Sequence, residues 1–181
     1  MKQLSKKELV LAYFFENPTE EVYLRELARR LRMNAATVMR VTELLVKKKL
    51  LLKRTEKHAT YFQANLTPEF KETKKANTVS KIFEAGAVDL IKEKSVGLSV
   101  MLLYGSAAKG EDDPNSDYDL LVIASKCDVK ASEISERLGR ETSLQVYNAA
   151  EWKRVSKQNR AFYLDVISSS IPLYGEKPVI D

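Results

Sequence analysis

Asp117 and Asp119 flank a single residue, and upstream, separated from Asp117 by ten residues, the chain carries Gly105-Ser106. Aspartates at i and i+2 of an extended segment project to one side, so their carboxylates lie next to each other. Two like charges so placed repel, and a divalent cation that also holds phosphate oxygens converts the repulsion into binding. A Gly-Ser bend leaving a strand offers backbone N–H groups and a hydroxyl to phosphate oxygens. The combination asks for a nucleoside triphosphate and magnesium. Its positioning elements flank it: Leu98–Tyr104 before and Leu120–Ala124 after are short aliphatic runs closed by small or polar residues. Both are expected as buried strands.

The whole string from Gly105 to Val122, GSAAKGEDDPNSDYDLLV, resembles the core motif of the polymerase-β-like nucleotidyltransferases. Its nearest match is the minimal nucleotidyltransferase group. That pattern is Gly-Ser, a small residue, a basic residue before Gly, a polar turn, Ser-Asp-x-Asp and then aliphatics. Lys109 fills the basic position, where arginine is commoner. A closing Leu173-Tyr174-Gly175-Glu176 extends the resemblance over about residues 78–177.

The resemblance implies that Asp117 and Asp119 are the catalytic metal ligands, holding Mg²⁺, and that Gly105 and Ser106 grip the phosphates of an NTP, with ATP expected. Lys109 either neutralises phosphate charge or points to solvent. The implied reaction moves a nucleoside monophosphate onto a hydroxyl acceptor and releases pyrophosphate. Relatives of the group modify partner proteins in toxin–antitoxin pairs, so a protein acceptor or toxin partner is one expectation. The family also supplies a third carboxylate from the following strand, and hydrophobic alternation puts Gln145 there, between Leu144 and Val146. Glutamine is no base and a poorer metal ligand. Glu141 and Glu151 are close in sequence but lack the strand phase. A second reading therefore stays open: a DNA-binding regulator or antitoxin-like protein whose transferase domain binds nucleotide but is catalytically weakened.

The chain's 181 residues, 44% hydrophobic and 30% charged, are enough for one or two globular domains. No stretch approaches the roughly 18 apolar residues of a membrane span, and the N-terminus lacks the apolar block of a signal peptide. Cys127 is the only cysteine and His58 the only histidine. An internal disulfide and a His-Cys zinc site are thereby excluded, and a cytoplasmic location is expected. Residues 1–75 hold 17 Lys+Arg against 9 Asp+Glu, a balance of +8, whereas residues 76–181 hold 13 against 16, a balance of −3. A basic module joined to a mildly acidic one suggests different partners, the first a polyanion.

Within the basic part, helices are expected over 5–16, 24–32 and 35–48, followed by strands over 50–56 and 59–65. This order resembles a winged helix-turn-helix, which makes double-stranded DNA the expected partner and Ala35–Lys47 the recognition helix. Thr37 and Arg40 would reach base edges, and Lys53 and Arg54 on the wing would touch phosphate. Docking of a protein or of a second copy, as a homodimer, is the alternative use of such a module. Residues 67–77 read as a linker, and one helix is expected from about Asn77 to Lys94. The expected fold class is α+β: a winged helix over 1–66 and a small mixed-sheet nucleotidyltransferase domain over 78–181.

Overall fold

The computed structural model describes residues 4–180. The chain divides into two compact units, one ending at Lys74 and the other beginning at Lys75. In the first, α1 (Lys6–Glu16) starts at a reciprocal cap. The Ser5 hydroxyl accepts from the Glu8 N–H at 3.3 Å, and the Glu8 carboxylate accepts from the Ser5 N–H at 2.6 Å. β1 (Val22–Tyr23) leads directly into α2 (Leu24–Arg30). Asn34 then caps α3 (Ala35–Lys47), its Oδ1 accepting from the Ala36 N–H at 2.8 Å.

β2 (Leu51–Glu56) and β3 (Ala59–Ala64) form an antiparallel hairpin. Its two-residue turn holds Lys57 and His58 at φ +43° and +67°, the left-handed pair that a tight right-twisted hairpin requires. β1 joins the far side of β3, giving the order β1-β3-β2. Phe14, Leu27, Val38, Leu45 and Phe62 are fully buried in one cluster with Phe70. The three helices and the hairpin lie where hydrophobic periodicity and turn residues place them.

The stretch expected as a linker is helical. α4 runs from Pro68 to Glu84, and the chain passes from one unit to the other within it. The single helix expected over 77–94 is instead broken: α5 (Ala87–Glu93) follows Gly86, whose φ of +68° ends the first helical path. The apolar stripe of that segment is real, with Ile82, Ala87 and Ile91 all buried, but a stripe does not register a two-residue break.

In the second unit, β4 (Ser95–Val96) precedes β5 (Val100–Tyr104), α6 (Gly105–Lys109) and β6 (Tyr118–Ile123). β7 (Lys126–Cys127), α7 (Ala131–Leu138) and β8 (Thr142–Tyr147) come next. α8 (Ala149–Gln158), α9 (Arg160–Ser169) and β9 (Ile171–Tyr174) close the chain. The main sheet is mixed, in the order β8-β6-β5-β9, with β8 parallel to β6 and the other pairs antiparallel. Alternation along β5 and β6 divides two cores. Met101, Leu103, Leu120 and Val122 face Ile91 and Ile134 on one side. Leu102, Tyr104, Leu121 and Ile123 face Trp152, Tyr163 and Val166 on the other. Each fully buried aliphatic stabilises the sheet by about 1.5–3 kcal/mol, which fixes the phase of both strands and therefore the side on which Asp119 emerges. Among the described residues no helix is long and apolar enough to cross a membrane.

Candidate functional site

β5 hands the chain to α6 through Gly105, so the expected Gly-Ser bend is the first turn of a five-residue helix. Gly105 has φ +72°, a conformation that costs an L-residue about 1–2 kcal/mol. A Cβ built there would lie 2.2 Å from Asp119 Oδ2. The carboxylate of Asp119 thus rests directly on the glycine. The cause is strand register: Tyr104, the last residue of β5, pairs with Asp119 of β6. Asp117 lies one residue before β6 and is exposed, while Asp119 is half-buried within the strand. Burial first, and the charge of Asp117 second, raise the Asp119 pKa above the usual aspartate range. The Asp119 charge in turn acts on Tyr104, whose hydroxyl is pushed up to about 12, chiefly by burial and then by Asp119. The two aspartates are therefore electrostatically coupled on one side of the sheet. Their hard carboxylate oxygens and their mutual repulsion fit a divalent cation.

Among the described residues no group of three His, Cys, Asp or Glu is placed to hold a metal. The residue of β8 in register with Asp119 is Ser143, and Gln145 pairs with Leu121, one step further along the same face. Gln145 Oε1 accepts from the Tyr147 hydroxyl at 2.6 Å. Sequence alternation gives the side of β8 on which Gln145 lies, and the register adds Ser143 as the residue beside Asp119. Lys109, the basic residue of the motif, donates to Asp165 of α9 at 2.7 Å. With both side chains well exposed, this is a weak surface pair.

Arg140 is the residue that sequence reasoning missed. Gly139 ends α7 in the left-handed conformation, and Arg140 turns back across the loop before Asp117. Its Nε donates to the Ser116 carbonyl at 2.7 Å, one N–H to Asp112 at 2.9 Å and another to the Asp113 carbonyl. The guanidinium also covers the Tyr118 ring at 4.5 Å. Asp112 is buried and Arg140 nearly so. This pair fixes the loop that delivers Asp117. Only the arginine after a predicted glycine cap hinted at it.

In the first unit, Thr37 lies half-buried and Arg40 exposed on α3. The two basic residues of the β2–β3 hairpin are already engaged. Lys53 donates to Glu43 at 3.1 Å. Arg54 donates to both oxygens of Glu21 at 2.8 and 2.6 Å, and also to Glu56, with its guanidinium 4.6 Å from the Tyr61 ring centre. The excess of positive charge counted along the sequence is therefore partly consumed by local carboxylates.

Gly105→Ala is expected to weaken magnesium-dependent nucleotide uptake at least tenfold while lowering stability by about 1–2 kcal/mol, because Asp119 must move to admit the methyl group. Calorimetric titration and a thermal melt on the same sample check both halves; unchanged uptake would show that the contact is unimportant.

Residues 88–178 match the family profile described as "Polymerase beta, Nucleotidyltransferase". No curated protein matches the chain. Similar solved structures include a toxin–antitoxin with AMP-PNP, at 19% identity and TM-score 0.41, covering 55% of this chain and 74% of the other. A mutant of the toxin–antitoxin MntA–HpeT is similar at 15% identity and TM-score 0.38, covering 50% and 72%.

Proposed function

Since the chain belongs to the polymerase beta nucleotidyltransferase family, we propose that its second unit binds a nucleoside triphosphate, with ATP the expected one, and transfers the nucleoside monophosphate to a hydroxyl acceptor with release of pyrophosphate. The observation that carries this reading is the Asp119 carboxylate lying against Gly105, with the charge of Asp117 acting on it. Asp117 and Asp119 would hold Mg²⁺, which neutralises triphosphate charge when bound. Gly105 leaves room for the Asp119 carboxylate; its backbone and the Ser106 hydroxyl would grip the phosphates. Lys109 exchanges Asp165 for phosphate at small cost, because an exposed pair is worth about 0–1 kcal/mol.

Turnover is expected to be slow, because Ser143 and Gln145 occupy the positions from which β8 could supply a general base. A positioned base is worth about 10²–10⁴ in rate. Pyrophosphate release from ATP, Mg²⁺ and cell extract is the test, on the unaltered chain and on Gln145→Asp. The variant is expected to be at least tenfold faster. Absence of pyrophosphate from both would defeat the transfer reading.

The missing third acid favours a second reading, in which the transferase unit senses nucleotide and the first unit binds DNA. In this reading the first unit is a winged helix-turn-helix with α3 in the major groove. Thr37 and Arg40 reach base edges, and Lys53 and Arg54 exchange their carboxylates for phosphates. Arg40 supports it, being exposed and without a partner among the described residues. Arg40→Ala is expected to cost about 1–3 kcal/mol on a preferred site and to relax sequence preference. Fluorescence anisotropy on selected and random duplexes checks this; equal binding by both proteins would refute the contact.

A further inference from the structure

The main sheet ends on β8, and that edge is open. Odd-numbered residues join it to β6: the Tyr118 N–H donates to the Glu141 carbonyl at 2.9 Å and the Ala124 N–H to the Tyr147 carbonyl at 3.0 Å. Successive residues turn their main-chain groups to opposite sides of a strand, so Thr142, Leu144 and Val146 point theirs outward. Ser135 Oγ accepts from the Thr142 N–H at 3.0 Å. Among the described residues nothing pairs with the N–H and C=O groups of Leu144 and Val146. Edges of this kind are normally guarded by lysine, proline or a bulge. β8 reads TSLQVY, with no charge and no proline. Val146 is 39% exposed. Beside it a groove of about 330 Å³ is lined by Val146, Tyr147, Glu151, Arg154, Val155 and Gln158.

We propose that this edge is covered by β8 of a second copy of the chain, antiparallel about a two-fold axis at Gln145, which joins two four-stranded sheets into one. In that register Leu144 lies opposite Val146 of the second copy and Val146 opposite its Leu144, so all four outward main-chain groups per strand find partners. Gln145 faces its own equivalent, and Tyr147 faces Ser143. Self-pairing suits this strand because an uncharged sequence sets no like charges opposite each other. Leu144 and Val146 share a face and meet as apolar pairs across the junction. The α8 surface is self-complementary as well. Glu151, whose carboxylate also accepts from the Asn148 N–H at 2.8 Å, and the more exposed Arg154 stand one turn apart and 4.0 Å from each other. An antiparallel approach of two such helices sets each carboxylate beside the guanidinium of the other copy, as an isologous interface demands.

The full chain is expected to shift in light scattering from 20.6 kDa toward twice that mass between low and high micromolar concentration. Val146→Lys, which sets two like charges at the junction, is expected to stay monomeric with an unchanged melting profile. Residues opposite each other at a non-hydrogen-bonded position have Cα atoms about 4.5 Å apart, within reach of a disulfide. Gln145→Cys in a Cys127→Ser background is therefore expected to form a covalent dimer under mild oxidation, and Ser143→Cys in the same background is not. A mass that stays at the monomer value with no cross-link at Gln145→Cys would overturn the proposal. So would a dimer indifferent to Val146→Lys, or one cross-linked through Ser143→Cys alone.

Discussion

Replacing Arg140 with methionine is expected to destabilise the second unit by about 3–5 kcal/mol, because it strips the guanidinium from a buried carboxylate. Asp112 is only 2% exposed at its side chain, and Arg140 also holds the carbonyls of Asp113 and Ser116. The methionine retains most of the volume, so the loss reports charge and hydrogen bonding rather than a cavity. A further Asp112→Leu change removes the buried carboxylate as well and is expected to return much of the stability, since apolar replacements of a buried ion pair are often neutral or better. The loop from Glu111 to Ser116 has no regular structure of its own. Its freedom in the Arg140→Met variant should therefore displace Asp117 and reduce nucleotide binding even below the melting transition. Chemical denaturation of the two variants, followed by nucleotide titration at low temperature, separates the effects. A loss under 1 kcal/mol for Arg140→Met would mean that the pair contributes little.

Asp119→Asn is expected to abolish magnesium-dependent nucleotide binding and, in metal-free buffer, to stabilise the fold by about 0.5–2 kcal/mol, the range common for single stabilising changes. The two signs share one cause. Burial and the Asp117 charge disfavour ionised Asp119, so its pKa is higher folded than unfolded. Between the ordinary aspartate value and the raised one, the folded state binds more protons than the unfolded state. Stability therefore falls as pH rises through that window, and the penalty is fully present above it. Asparagine removes the charge and with it the fall. Thermal melts from acid to neutral pH in the presence of a chelator should show the difference between the two proteins widening as pH rises. Parallel curves would mean that the carboxylate pair is not strained without a cation, and the argument for a metal there would lose its electrostatic support.

How much of this was legible beforehand differs from residue to residue. The strands on either side of the motif were readable because Val100–Tyr104 and Tyr118–Ile123 are buried on both faces, which demands continuous aliphatic runs. Asn34 and Gly139 were readable as caps because their chemistry is local. The break at Gly86 was not, since one glycine inside an apolar stripe is compatible with a continuous helix. Nor was the register of β8: alternation gives its face, and only pairing with β6 sets Ser143 opposite Asp119. Ion pairs were the least visible. Sequence makes Lys53 and Arg54 cations available to phosphate and leaves Lys109 between phosphate and solvent, yet each is held by a carboxylate that is distant in sequence or on another element. Arg140 and Asp112 are 28 residues apart. Such partners become neighbours only through tertiary structure, so net charge along a sequence overstates the charge left free to bind.

Isothermal titration of the intact protein with ATP, with and without Mg²⁺, and of Asp117→Asn alongside it, bears most directly on the proposed site. One molecule of nucleotide is expected to bind per chain in magnesium, with uptake lost in chelator and in the variant. Heat evolved equally with and without the metal, or undiminished uptake by Asp117→Asn, would contradict the assignment of the paired aspartates.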